Sequence, residues 1–195
     1  MRPETLLCPR PDGLYCPPGD FYIDPVRPVD RAVITHGHAD HARAGHGTVL
    51  ATPETLAIMA TRYGEDFTGL RQSLSYGETV THSGVTISLV PAGHVLGSAQ
   101  AVLTWGGMRI VVSGDYKRRR DPTCPPFEPV ACDVFVTEAT FGLPPFRHPP
   151  ADEEVGKLLK SLAQFPDRAH LVGAYALGKA QRIICLLREG GWDRT

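Results

Sequence analysis

The sequence predicts a mixed α/β (α+β) fold whose antiparallel-rich first half passes into βαβ units. Three observations carry this. Short runs rich in Val, Ile and Thr recur through the first two-thirds, most of them bounded by Gly, Pro or Asp. Helix start and stop signals bracket three longer segments, two of them near the C-terminal end. Twenty glycines and eighteen prolines in 195 residues imply many tight turns and argue against a helical bundle.

In chain order the expected strands are FYI (21–23), RAVIT (31–35), TVLA (48–51), ETVTH (78–82), VTISLV (85–90), AQAVLTW (99–105) and MRIVVSG (108–114). Gly106-Gly107 is the two-residue turn of a hairpin between the last two. PETLAIMATRY (53–63) is a helix with Thr52 as N-cap and Pro53 at its first position. CDVFVTE (132–138) is a further strand. ADEEVGKLLKSLAQF (151–165) is a helix with acids in its first turn and lysines later, as the helix dipole favours. RAHLVGAY (168–175) reads as a buried strand, and LGKAQRIICLLREG (177–190) as a helix closed by glycine. The chain stops where another strand could begin, which reads as a chain cut short.

Composition excludes several classes. With 42% hydrophobic and 21% charged residues the chain is globular and not disordered. No run approaches the ~18 apolar residues of a membrane span, and the N-terminus has no apolar stretch of the secretory kind. Twenty basic against twenty-one acidic residues exclude wholesale electrostatic binding of nucleic acid, leaving room for a local basic patch. Five cysteines with no CxxC pair fit neither a disulfide scaffold nor a four-cysteine zinc site. They fit reduced thiols and a cytoplasmic location.

The most informative stretch is RAVITHGHADHARAGHG (31–47). A strand runs into His36, Gly37, His38, Ala39, Asp40 and His41, four potential metal ligands in six residues. Alternation puts His36 and His38 on one side, Gly37 relieves crowding between them, and the turn brings Asp40 and His41 back. Imidazole with carboxylate suits zinc, and also manganese or iron. Downstream, His94 in PAGHVLGSAQ and Asp115 in VVSGDYKR each follow a strand and a glycine. His46 reads as a loop histidine, and Cys185 as a core residue of the last helix.

HGHADH resembles the H-x-H-x-D-H motif of the metallo-β-lactamase superfamily, and the later His94 and Asp115 come in that family's order. The resemblance implies an αββα sandwich with two divalent metals, zinc first and manganese as the other candidate. His36, His38 and His94 would hold one metal, Asp40 and His41 the second, and Asp115 would bridge. Asp24 in FYIDP would support the histidine loop from behind. PAGHVLGSA, SGDYKR, TEATFG and GKAQ are similar to the nucleic-acid-processing β-CASP branch, most of all to bacterial ligase-associated DNA exonucleases. That implies phosphodiester hydrolysis in DNA repair, with an ATP-dependent DNA ligase and a helicase as partners. Glu138 would be the acidic half of the general acid, and Asp40 would also take the water proton. Residues 1–145 would form the metal-bearing core and 146–195 the start of an incomplete cap. The branch continues well beyond this length, which leaves the fragment's own activity open.

Lys117, Arg118, Arg119 and Arg120 follow Asp115 directly and could grip a phosphate backbone. Lys179 begins the last helix, whose N-terminus could meet a phosphate. An RNA-processing nuclease of the same branch is the alternative, since no residue here reads a 2′-hydroxyl. A thioesterase or lactamase of the same fold and a non-catalytic fragment are the remaining alternatives.

Overall fold

A computed structural model describes residues 2–192. The chain forms two compact units, one running to Glu138 and one starting at Ala139. In the first, β1 (Cys8–Arg10), β2 (Gly13–Cys16), β3 (Phe21–Ile23), β4 (Arg31–Val33), β5 (His46–Ala51) and β6 (Thr68–Ser73) make one sheet in sequence order, with α1 (Pro53–Tyr63) between β5 and β6. β7 (Thr79–His82), β8 (Val85–Pro91), β9 (Ala99–Trp105), β10 (Met108–Val112) and β11 (Val134–Val136) make the second, in spatial order β11-β10-β9-β8-β7. The second unit contains α2 (Ala151–Gln164) and α3 (Lys179–Glu189). No described helix is long and apolar enough to cross a membrane.

The second sheet is a meander, antiparallel except for the β10–β11 pair. Gly106-Gly107 makes the expected turn, with Trp105 opposite Met108. The first sheet differs from expectation: β3–β4, β4–β5 and β5–β6 are all parallel. Parallel neighbours need a crossover connection. The crossover from β4 to β5 is the histidine segment, so the motif leaves from the end of a central strand.

One face of each sheet is apolar, and the two faces pack together. Phe21, Ile23, Val33 and Leu50 meet Ile87, Leu89, Leu103, Ile110 and Val112 in a single buried cluster. β8 alternates buried and half-buried residues along its whole length, as a strand with one core face requires. On the far side of the first sheet, Leu56 and Met59 of α1 cover Ala32, Val49 and Ala51. Thr52 caps α1, its hydroxyl accepting from the Thr55 amide at 3.2 Å.

Three strands escape the sequence reading. β1 and β2 are short, but Pro11-Asp12 between Arg10 and Gly13 is a turn signal. β6 is an edge strand, mostly exposed, so no apolar pattern marks it. RAHLVGAY is not a strand. Residues 168–175 pair with no described strand, and Leu171 is 97% exposed. An apolar run becomes a buried strand only where a sheet edge receives its backbone, and none does so here. His170 instead donates from Nδ1 to the Arg168 carbonyl at 3.1 Å and accepts the Ser161 hydroxyl at 3.0 Å. Cys185 is half-buried, because α3 has no fully buried residue.

His46 is not a loop residue. It opens β5 and is buried; its Nδ1 accepts the Val29 amide at 3.2 Å, and its Nε2 has no partner among the described residues. Burial holds its pKa below the ordinary value, against a raising contribution from the Arg43 backbone. The unfolded chain therefore takes up a proton that the fold resists. The His46 contribution to stability should be full above about pH 6.5 and fall as the pH drops below it. Denaturant midpoints at pH 7 and pH 5 should differ less in His46→Gln than in the unsubstituted protein.

Candidate metal centre

The site grows from the ends of β3, β4, β8 and β10. β4 stops at Val33 because the Thr35 amide is taken by a side chain: it donates to Asp24 Oδ1 at 2.8 Å. The Thr35 hydroxyl donates to Asp24 Oδ2, and His41 Nδ1 lies 2.7 Å from that same oxygen. Asp24 follows β3 with a φ of 44°, a left-handed conformation that Asp tolerates better than most residues. One carboxylate thus holds the start and the end of the histidine segment.

These bonds fix ring tautomers. The Thr35 hydroxyl spends its proton on Asp24, so it accepts from His36 Nδ1 at 3.1 Å. A neutral His36 then presents the lone pair of Nε2 inward. His41 donates from Nδ1 to Asp24, so its Nε2 also faces inward. Histidines that ligate metals are commonly oriented by such partners.

Inside, the nitrogens converge. His38 Nδ1 lies 3.0 Å from His36 Nε2 and 3.1 Å from His94 Nε2. His38 Nδ1 carries either one proton or one lone pair, and with His36 Nε2 bare the three nitrogens cannot all be satisfied by hydrogen bonds to one another. Asp115 divides its oxygens: Oδ2 is 3.4 Å from His94 Nε2 and 3.8 Å from His36 Nε2, while Oδ1 is 3.5 Å from His41 Nε2. Asp40 Oδ2 is 3.7 Å from His41 Nε2, on a largely exposed side chain. Donor atoms of His36, His38, His94 and Asp115 all lie within 4.8 Å of one another, as do those of Asp24, His36 and His41.

The electrostatics fit a cation. Burial, with the other histidines, holds His36 far below its ordinary pKa. Burial, then His38 and Lys117, pushes His94 down to about 4. Both rings are neutral at pH 7 and free to donate lone pairs. Burial raises the Asp115 carboxyl above its usual range, and Glu138 and Asp40 add to this against His41. Burial alone would lower His41, but Asp24, Asp115 and Asp40 raise it. Converging ring nitrogens that cannot all pair with one another, and crowded carboxylates, are both relieved by a divalent cation, and the imidazole-rich donor set suits zinc.

Two loops needed help the sequence reading missed. The Ser98 hydroxyl accepts the amides of His94 and Val95 at 3.0 and 3.1 Å, and Thr52 donates to the Gly97 carbonyl at 2.7 Å. These pin the His94 loop to the start of α1. Gly114, before Asp115, has a φ of 54°, and a Cβ there would meet Thr35 Oγ1 at 2.5 Å. Gly37 also lies against α1. Its missing side chain makes room for Ile58 of α1, 2.8 Å from where a Cβ would sit.

Of the remaining expected residues, Glu138 lines a cavity of about 330 Å³ together with Asp24, Asp40, His41 and Asp115. Lys117 is tied back, its ammonium on the buried Asp121 carboxylate and 3.4 Å from the His94 carbonyl. It braces the His94 loop. Arg118, Arg119 and Arg120 lie on the exposed surface. Lys179, in the second unit, sits with its Nζ 4.6 Å from the Tyr175 ring.

Known proteins share this sequence pattern and fold. The chain is 32% identical over 187 residues to an Opitutus terrae protein named "Probable DNA ligase", covering 91% of this chain and 18% of that one. It is 31% identical over 219 residues to Neurospora crassa "Endoribonuclease ysh-1", covering 93% of this chain and 25% of the relative. The chain thus spans a quarter or less of the length of these relatives. A crystal structure of an Enterococcus faecalis protein of unknown function shares the fold, with a TM-score of 0.56 at 14% identity over 81% of this chain and 44% of that one. The sequence model of the metallo-beta-lactamase superfamily matches residues 24–169, from the aspartate that orients the histidines to beyond Glu138. With the motif, the two-sheet sandwich and the converging donors in agreement, the chain belongs to the metallo-beta-lactamase superfamily.

Proposed function

We propose that the chain carries the metal centre of a phosphodiester hydrolase, a DNA exonuclease that works with an ATP-dependent DNA ligase in repair. The carrying observation is the division of Asp115 between His36/His94 on one side and His41 on the other, the arrangement a bridging ligand of two metals needs. His36, His38 and His94 would hold one metal and Asp40 and His41 the other, zinc first and manganese as the other candidate. Bound metals supply an acidified water and neutralise charge on the phosphoryl oxygens. Asp24 and Thr35 hold the imidazoles in register. Asp40, exposed beside His41, would also be placed to take a proton from water at the site. Glu138 presents its carboxylate to the same cavity and is the acidic half of the general acid at the leaving oxygen. Arg118, Arg119 and Arg120 contact the phosphate backbone, and residues 146–195 begin a cap. The ligase-named relative supports the DNA reading, and the five free thiols support a reducing cytoplasm.

The endoribonuclease relative favours a second reading, RNA cleavage by the same centre. The deciding assay uses matched single-stranded DNA and RNA labelled at either end, with zinc or manganese and with a chelator. Digestion of DNA from one end, abolished by the chelator, is expected. Internal cuts in RNA alone would select the second reading. A folded, metal-loaded sample that cleaves neither but hydrolyses a chromogenic ester or lactam would remove both.

A further inference from the structure

Residues 139–150, ATFGLPPFRHPP, place three aromatic rings and an arginine in a stretch with no acidic side chain. Phe141 meets Phe146 with ring centroids 5.5 Å apart and His148 at 4.8 Å, both edge-to-face. Apolar rings that find one another normally sink into a core. Here Phe141 is 57% and Phe146 47% exposed. Pro144, Pro145, Pro149 and Pro150 restrict the backbone, and turn bonds from Gly142 to Ala139 and from Phe146 to Leu143 hold it at 3.0 and 3.1 Å. A rigid loop presenting rings loses little freedom on binding.

The same unit pairs rings with cations elsewhere. The Arg168 guanidinium lies 4.8 Å from the Phe165 ring, and Lys179 covers Tyr175. No acidic residue occurs from Arg168 to Arg188. Exposed rings beside cations, with no carboxylate between Ala139 and Pro150 although Glu138 and Asp152, Glu153 and Glu154 flank that stretch, suit a partner that is flat, apolar on its faces and anionic along its backbone. Unpaired nucleotides have that chemistry. A duplex does not, because its base faces are already stacked.

We propose that the Phe141–Phe146–His148 cluster, with Arg147 in the same loop, is a stacking platform for the unpaired bases of a single-stranded nucleic acid. This rests on the nuclease reading and adds the strand state of its substrate. A base lies against the exposed ring faces, and Arg147 neutralises the adjoining phosphate.

The test is fluorescence anisotropy with a phosphorothioate-linked 20-mer of thymidylate, which resists cleavage, and the metal-loaded protein. Phe141→Leu and Phe146→Leu keep the apolar bulk but remove the ring. Each should weaken binding about fivefold or more, the range of a lost base stack. Phe146→Tyr should bind like the unsubstituted protein. Hydrolysis of bis(p-nitrophenyl) phosphate, which carries no base, should not change in any of the three. Unchanged oligonucleotide binding in the leucine variants would overturn the platform, and so would an equal loss for a duplex of the same length. Loss in Phe146→Tyr as deep as in Phe146→Leu would also overturn it, pointing to a structural role. The two proposals fail separately. Metal-dependent hydrolysis with ring-independent binding removes the platform and keeps the nuclease. Ring-dependent binding by a protein that cleaves no nucleic acid keeps the platform and removes the nuclease.

Discussion

Replacing His38 by alanine should abolish metal-dependent hydrolysis while leaving the fold intact. His38 Nδ1 is the central atom of the cluster, within 3.1 Å of both His36 Nε2 and His94 Nε2. The ring sits in a loop at the edge of the sandwich and contributes nothing to the buried apolar cluster between the sheets. Losing it leaves two imidazoles and one carboxylate oxygen where four donors met. A bound metal supplies several kcal/mol of transition-state charge stabilisation, so the rate should fall by about 10³-fold or more. Metal content per chain, read by elemental analysis, should fall with it. Far-UV circular dichroism should match that of the unsubstituted protein. Full metal content with full activity would remove His38 from the ligand set.

Replacing Asp24 by asparagine should cost less and show a different signature. Asp24 accepts from the Thr35 amide, the Thr35 hydroxyl and His41 Nδ1. Asparagine can accept at one atom only and offers an amide N–H₂ at the other. With that amide at the Oδ2 position His41 turns its lone pair outward or loses its partner and Thr35 no longer fixes His36; at the Oδ1 position it opposes the Thr35 amide and loosens the start of the same segment. Metal affinity should fall by about 10- to 100-fold, the usual cost of losing a partner that orients a ligand. The proton balance adds a second readout. Asp24, Asp115 and Asp40 together hold His41 above its ordinary pKa, so metal binding near neutral pH displaces a proton from it. Calorimetric titration in two buffers of different ionisation enthalpy should show this proton release. It should shrink in Asp24→Asn, because His41 then loses the carboxylate that does most to hold its proton. Without metal, the protonated His41–Asp24 pair stabilises the fold fully below about pH 6.5. That contribution is lost as the pH rises through the raised pKa.

Strand and helix assignments were legible where the local chemistry was strong. Thr52-Pro53 announces α1, Gly106-Gly107 announces a hairpin, and the alternation of β8 announces a core face. They were not legible where partners decide. β6 has no pattern of its own and exists because β5 offers it an edge. RAHLVGAY has the pattern but no edge to join. His46 carries a titratable ring, yet it is buried because β5 begins there.

The sequence by itself determined the metal-ligating residue types and their order, since four donors in six residues followed by His94 and Asp115 have few other uses. It also determined the family to which the chain belongs. Only the tertiary structure decided how the donors meet. The Thr35–Asp24–His41 bonds set the tautomers, and the two oxygens of Asp115 face different histidines. Lys117 turns away to Asp121, and Gly37 makes room for Ile58 of α1. The physical reason is separation along the chain. Spacing within a motif records which groups can share a turn. The direction of a lone pair depends on hydrogen bonds made across 11 to 17 residues, and those exist only once the strands are paired.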